Sequence, residues 1–185
     1  LIYLTFYILI ISSTIGYGIL TSKLILNFNN NFSKANLGYI GILGFLTLCM
    51  LSYVANFIIP QSIIFNSFVL SIGLISFFIF LKYLKKDIYI LIGIFLVLFI
   101  ALLGDKNHDD FFYYHFPYSL YLSNFKLILG IGKLSHGFRT PSSLFYYHSL
   151  TYLPFIKYYL FNLGPLIIMG FCNFILLKNI LEFKN

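Results

Sequence analysis

The sequence predicts an all-α fold, a polytopic transmembrane helix bundle of about six spans with one exoplasmic loop that carries an interfacial helix. Two observations support this prediction. Of the 185 residues, 60% are hydrophobic and 9% are charged, whereas a soluble domain carries about 25% charged residues. The uncharged runs are also long, and about 20 apolar residues are enough to cross the hydrocarbon core of a bilayer.

The first four spans are predicted within residues 1–104. Residues 1–22 carry no charge, and no charge appears between Ala35 and Leu81. The second of these runs is too long for one helix, and Pro60 divides it because proline tends to end a helix at the preceding residue. The fourth span, 88–104, is at the short end of the spanning range.

Residues 143–185 are predicted to form two further membrane segments. The first, 143–161, is apolar but contains His148, Pro154 and Lys157, so a re-entrant or interfacial segment is the alternative. The chain stops soon after the second apolar segment, and we therefore expect it to be the N-terminal part of a longer protein.

The lysines predict the orientation of the spans. The connectors after spans one and three are short and contain lysines, which favours a cytoplasmic position for both connectors. The loop 105–142 is then expected on the outer face of the membrane. We expect this membrane to be the bacterial inner membrane. A net charge of +7 would suggest nucleic acid in a soluble protein. Here most of the basic residues lie between apolar runs, so membrane lipids are the expected partner and nucleic acid is not.

The loop 105–142 is predicted to have two parts. Residues 105–116 are expected to be irregular or extended, and a helix is expected over 117–129, starting at Pro117 and closed by Gly130. Ser119, Ser123 and Lys126 follow one another at helical spacing. This polar stripe predicts a helix that lies in the membrane interface with the stripe towards water.

Asp109 and Asp110 are the first candidates for chemistry. The chain has five acidic residues, and three of them lie in this loop. An acidic pair at the mouth of a membrane protein can act as a general base or bind a divalent cation, and the alternative is a pair of solvated loop charges. His108 adds a nitrogen ligand to a weak metal-site pattern, although an interfacial histidine bonded to the backbone explains it as well.

Arg139 and the loop tyrosines are the second set of candidates. Arg139 is the only arginine in the chain, and a guanidinium can hold a phosphate through two hydrogen bonds. The alternative is an anchor to lipid headgroups. Tyr114 and its neighbours can stack on sugar rings, or they can belong to the aromatic belt of the membrane interface.

Taken together, these residues resemble a known family. The acidic pair is followed by Tyr114-His115-Phe116-Pro117, a predicted interfacial helix and a segment containing Gly137 and Arg139 that returns to the membrane. This order is similar to the first exoplasmic loop of polytopic bacterial membrane glycosyltransferases of the C-type fold, including envelope-polysaccharide members. The resemblance covers about 105–147, and in the best-known members the loop follows the first span rather than the fourth.

The resemblance implies transfer of a sugar from a polyprenyl-phosphate donor to an envelope glycan or lipid acceptor. It also implies that Asp109 or Asp110 acts as catalytic base or holds a divalent metal ion, that His115 supports it, and that Arg139 faces the donor phosphate. The alternatives are a multispanning transporter and a structural membrane subunit without catalysis. Transporters place ionisable groups near the middle of their spans, and these spans have almost none.

Overall fold

The computed structural model describes residues 1–26, 36–84, 87–104, 109–134, 136–139 and 141–183. Within these ranges the chain is helical, and its one β-type feature is an isolated bridge between Leu153 and Lys157. The α-helices are α1 (Ile2–Leu26), α2 (Leu37–Asn56), α3 (Ile63–Phe80), α4 (Asp87–Leu102), α5 (Phe116–Asn124), α6 (Ser143–Leu150) and α7 (Leu163–Phe183).

Four of the described helices, α1, α2, α3 and α7, are long and apolar enough to cross a membrane. These four helices agree with the prediction of a helical membrane protein. Helix α4 is also apolar but has only 16 residues. At 1.5 Å per residue its length is about 24 Å, somewhat less than the roughly 30 Å hydrocarbon core.

The predicted span 143–161 is not a helix of spanning length. Helix α6 has eight residues, and turns follow it from Thr151 to Asn162. The Thr151 hydroxyl donates to the carbonyl of His148 at 2.7 Å, which closes the last turn of α6. Phe155 and Lys157 then adopt positive φ angles of 66° and 43°, so the chain folds back on itself. The count of six spans is therefore not reproduced as six long helices in the described chain.

Helix α1 packs against α2 and α3 through backbone contacts. A Cβ atom added to Gly16 would overlap the carbonyl oxygen of Gly73, and one added to Gly44 would overlap that of Thr14. Small residues of this kind let membrane helices approach closely. Between α1 and α3, the hydroxyl of Ser13 also donates to the carbonyl of Leu70 at 2.8 Å.

Three buried amide side chains join α2, α3 and the turn between them to α5 and α6. Asn56 Nδ2 donates to the carbonyl of Leu122 at 2.9 Å, and Asn66 Nδ2 donates to that of Ser149 at 2.8 Å. The amide of Gln61 bonds to Ser52 in α2 and to Ser149 in α6. The turn between α2 and α3 therefore holds both α5 and α6, and it determines where the loop lies.

The loop and α6 share a small apolar core, separate from that of the bundle. We call it the loop core, and it consists of Tyr118, Leu122, Ile131, Phe145 and Tyr146. It packs α5 against α6. The candidate residues for chemistry lie around this core.

Candidate functional site

The chain is helical from Asp109, the first residue described after 105–108, to Asn124. Residues 109–110 are α-helical, Phe111–His115 form a π-helical turn, and α5 follows directly. The prediction that 105–116 is irregular or extended is therefore wrong for 109–116, and 105–108 lie outside the described residues. A π turn widens the helix. It comes directly before α5 and Pro117, where a regular α-turn would bring the proline ring against the carbonyl four residues earlier.

Helix α5 ends five residues before the predicted end at Leu129. Phe125 is extended, with φ −133° and ψ 152°. The backbone N–H of Leu127 donates to the carbonyl of Asn56 at 2.9 Å, so the end of α2 captures the backbone that would otherwise continue α5.

The polar stripe on this helix does not face water. Ser119 is 0% and Ser123 2% exposed, and the Ser123 hydroxyl donates to the carbonyl of Ser119 at 3.0 Å. The predicted orientation is therefore wrong for both serines, although Lys126 is exposed. The reason is that α5 turns this face towards the protein, where a serine can satisfy its hydroxyl within its own helix. Whether α5 lies in a membrane interface stays a prediction.

Tyr114 and His115 lie beside the segment that carries Arg139. The rings of Tyr114 and His115 are 4.4 Å apart between centroids, and the His115 ring is 5.0 Å from that of Phe145 in α6. Gly137 packs so closely on Tyr114 that a Cβ atom at Gly137 would overlap the tyrosine Cβ. The fold thus brings the segment 136–139 next to Tyr114 and His115, which lie more than twenty residues earlier in the sequence.

Arg139 is exposed at the edge of this cluster. Its Nε donates to the carbonyl of Gly132 at 3.3 Å, and a Cβ atom at Gly132 would lie 3.1 Å from the Arg139 Cα. The bond through Nε orients the guanidinium group. The bond to Gly132 uses Nε and not the two terminal nitrogens. These terminal nitrogens belong to the fork of donors that can hold a phosphate.

Asp109 and Asp110 belong to the same helical stretch. Asp109 is exposed and Asp110 is half-buried. His115 follows Asp110 by five residues, which is the hydrogen-bonding interval of a π turn, so both residues belong to one turn of the helix. This helix therefore carries two carboxylates and an imidazole close in sequence to Tyr114, which contacts Gly137 of the segment that contains Arg139.

The predicted metal ligands can be placed only in part. His108 lies outside the described residues. Within the described part of the chain, no three His, Cys, Asp or Glu side chains converge. Mg²⁺ needs only one or two protein carboxylates when water and substrate phosphates complete its shell, a donor set that Asp109 and Asp110 fit. The metal ion stays a prediction.

His148 is a feature of the site that the sequence analysis did not select. It is 5% exposed, and neither ring nitrogen has a hydrogen-bond partner in the part of the chain that the structure describes. Burial, together with the nearby His115, lowers the pKa of His148 well below its usual range. The ring packs against Gly164 at the start of α7, where a Cβ atom would lie 2.7 Å from Nε2. The sequence signal was only a histidine within an apolar segment.

Tyr118 and Tyr146 meet inside the loop core. Burial raises the pKa of both phenols, and their rings lie 6.5 Å apart between centroids in an edge-to-face arrangement. Tyr118 is therefore a packing residue of the loop rather than an aromatic ring exposed to a substrate. In contrast, Phe112 and Tyr113 on the π turn are 67% and 68% exposed, and they are available to a membrane or a ligand.

Comparisons with family models, curated proteins and solved structures found no match to this chain.

Proposed function

We propose that this membrane protein is part of a glycosyltransferase that transfers a sugar from a polyprenyl-phosphate donor to an envelope glycan or lipid acceptor. The observation that supports the proposal best is the grouping of carboxylates, Tyr114 and His115 on one helix with the segment 136–139 packed beside it. Sugar transfer from a lipid phosphate needs a base for the acceptor hydroxyl and a cation for the departing phosphate.

Asp109 or Asp110 takes the proton from the acceptor hydroxyl as it attacks the anomeric carbon. Asp109 is the better candidate because it is the more exposed of the two, and a general base must come within hydrogen-bonding reach of its substrate. His115 supports the carboxylates from the same helical turn. Tyr114 provides an aromatic face for a sugar ring.

Arg139 binds the donor phosphate in this proposal, since its guanidinium group is exposed and held through Nε. A divalent metal ion held by Asp109 and Asp110 would add positive charge near the same phosphate. The lysine distribution favours the outer face of the bacterial inner membrane for this chemistry, where a polyprenyl-phosphate sugar would be accessible from the lipid phase.

The test uses a bacterial strain from which the gene has been deleted. The wild-type protein and variants of the two aspartates are expressed in this strain, and restoration of the product is measured. We expect the deletion strain to lose one envelope glycan or glycolipid and to accumulate a polyprenyl-phosphate sugar. Asp109→Asn should reduce restoration of the product by about 10²–10⁴-fold, the usual contribution of general-base catalysis. The protein level in the membrane should stay the same.

Glu182→Gln is the matched control because Glu182 is an exposed carboxylate at the end of α7. It should restore the product like the wild type. Full product formation by the Asp109→Asn/Asp110→Asn double variant would reject the catalytic role and favour a structural membrane subunit. Loss of a transported solute with an unchanged glycan would favour a transporter.

A further inference from the structure

The segment 125–134, which follows α5, exposes large apolar side chains. It is held on the protein from within, because Ile131 belongs to the loop core and Leu127 packs against that core. Between these two residues, Ile128 and Leu129 are 55% and 85% exposed. We call Ile128 and Leu129 the apolar tip. Exposed apolar side chains grouped in this way indicate a surface that meets another apolar phase.

Helix α2 determines the depth of the apolar tip relative to the membrane. The backbone N–H of Leu127 donates to the carbonyl of Asn56 at 2.9 Å, and Asn56 is the last residue of α2. This helix has 20 residues, a length of about 30 Å at 1.5 Å per residue, which equals the thickness of the hydrocarbon core. A helix of this length that crosses the bilayer has its last residue at the edge of the hydrocarbon core. The apolar tip follows Leu127 directly, so it lies at the same level.

Lys126 and Lys133 flank the apolar tip in the sequence, and both are exposed. Neither side chain forms an ion pair with an acidic residue that the structure describes. The sequence has no acidic residue between Phe111 and Leu181, so every Lys, Arg, Asp or Glu in this range is positively charged. Exposed leucine and isoleucine next to lysines are typical of segments that lie in a membrane interface, because the lysine stem can follow apolar surface while the ammonium group reaches water and headgroups.

We propose that the apolar tip inserts into the surface of the bilayer that α2 crosses, with Lys126 and Lys133 at the phosphates of anionic lipids. Insertion removes the two apolar side chains from water, which is favourable in proportion to the apolar area removed. Basic side chains at a membrane surface attract anionic headgroups. The charge of the segment therefore selects anionic lipids over zwitterionic ones, and the segment anchors the loop to the membrane beside the end of α2.

Insertion of the apolar tip does not depend on the proposed sugar transfer. The tip and its two lysines include none of the residues to which the sugar transfer assigns a role. A measurement of lipid contact therefore stays informative even if the protein transfers no sugar, and loss of product formation does not bear on it.

The test uses the full chain in phosphatidylglycerol nanodiscs, with a Cys172→Ser background because Cys172 is exposed and Cys49 is buried. A spin label is attached at Leu129→Cys or, as the control, at Asn124→Cys, an exposed polar position at the end of α5. Paramagnetic resonance measures the collisions of each label with oxygen, which is enriched in the bilayer, and with a neutral nickel chelate, which stays in water. We expect the oxygen-to-nickel ratio to be several-fold higher at Leu129 than at Asn124. Equal ratios would overturn the proposal, and so would a Leu129 label protected from both reagents, because a protein would then cover the tip.

The role of the lysines is tested with the same label at Leu129 in nanodiscs of phosphatidylglycerol or of phosphatidylcholine. The oxygen-to-nickel ratio should be higher in phosphatidylglycerol, because the anionic headgroups draw Lys126 and Lys133 towards the membrane. The Lys126→Gln/Lys133→Gln double variant should remove the difference between the two lipids. Lys157→Gln is the matched control because Lys157 is an exposed lysine outside the segment, and it should keep the difference. The same ratio in both lipids without these lysine substitutions would reject anionic lipid as the partner.

Discussion

The backbone N–H of Leu127 donates to the carbonyl oxygen of Asn56 at 2.9 Å. The side chain of the same asparagine donates to the carbonyl of Leu122 at 2.9 Å. Asn56 is the last residue of α2, so the end of one long helix determines where α5 ends. The position of the candidate site depends on this connection, because α5 continues directly from the π turn that carries His115.

Substitution of Asn56 tests how strongly the loop is held. Asn56→Ala removes the side-chain donor of the Leu122 carbonyl, which keeps the backbone N–H of Gln61 as a second donor. The net loss of one such hydrogen bond costs about 0.5–1.5 kcal/mol. We expect a lower unfolding temperature in detergent and faster proteolysis of the segment around Phe125. Asn124→Ala is the control, because Asn124 is exposed and bonds only within its own helix; it should change stability by less than about 0.5 kcal/mol. Equal unfolding temperatures for the two variants would contradict the anchoring role.

The contact of α1 with α3 makes a second prediction. Gly16→Ala places a methyl group on the carbonyl of Gly73, and the helices must separate to admit it. Overpacking of this kind typically costs about 1–3 kcal/mol. Gly93→Ala is the matched control, since no described atom outside its own helix backbone lies within 4 Å of the added Cβ atom. It should be neutral or stabilising by up to about 1 kcal/mol because alanine favours a helix more than glycine does. Thermal unfolding in detergent would measure both, and a Gly16→Ala protein as stable as the wild type would reject the close crossing.

His148 predicts a dependence of stability on pH. Its pKa is lowered in the folded protein, while an unfolded histidine titrates near about 6.5. As the pH falls, the unfolded chain therefore binds the proton first. The contribution to stability is present above about pH 6.5 and is lost as the pH falls towards the lower pKa of the folded state.

The measurement compares unfolding temperatures at about pH 7.5 and pH 5.5, on either side of the unfolded pKa. His148→Leu should lose less stability on acidification than the wild type does. His136→Leu is the control because His136 is exposed, and it should keep the wild-type difference. A wild-type protein whose stability is the same at both pH values would contradict the buried, uncharged state of His148.

The topology can be tested by cysteine labelling in sealed cells. Lys126 and Lys82 are both exposed, and the lysine pattern predicts that they lie on opposite sides of the membrane. Cys172 is exposed and Cys49 is buried, so a Cys172→Ser background removes the accessible native thiol. Lys126→Cys should react with an impermeant maleimide in intact cells, and Lys82→Cys should react only after permeabilisation. Reaction of both from the outside would overturn the predicted orientation.

The sequence by itself determined the features that follow from local composition. Long apolar runs predicted the helical segments in which α1, α2, α3 and α7 lie, because an apolar run of this length has few stable states other than a membrane helix. Pro60 predicted the division between α2 and α3, since proline removes a backbone donor. The sequence also drew attention to the loop that carries Asp109, Asp110, His115 and Arg139.

The tertiary structure alone decided the features that depend on distant partners. The end of α5 is set by Asn56, a residue more than sixty positions earlier, and the burial of Ser119 is set by the face that α5 turns towards the protein. Helix α6 stops after eight residues because the chain folds back through Thr151 and two positive φ angles. His148 is enclosed only when α6, α7 and the π turn meet. Local periodicity carries no information about such contacts, because each depends on backbone and side-chain groups that only the folded chain brings together.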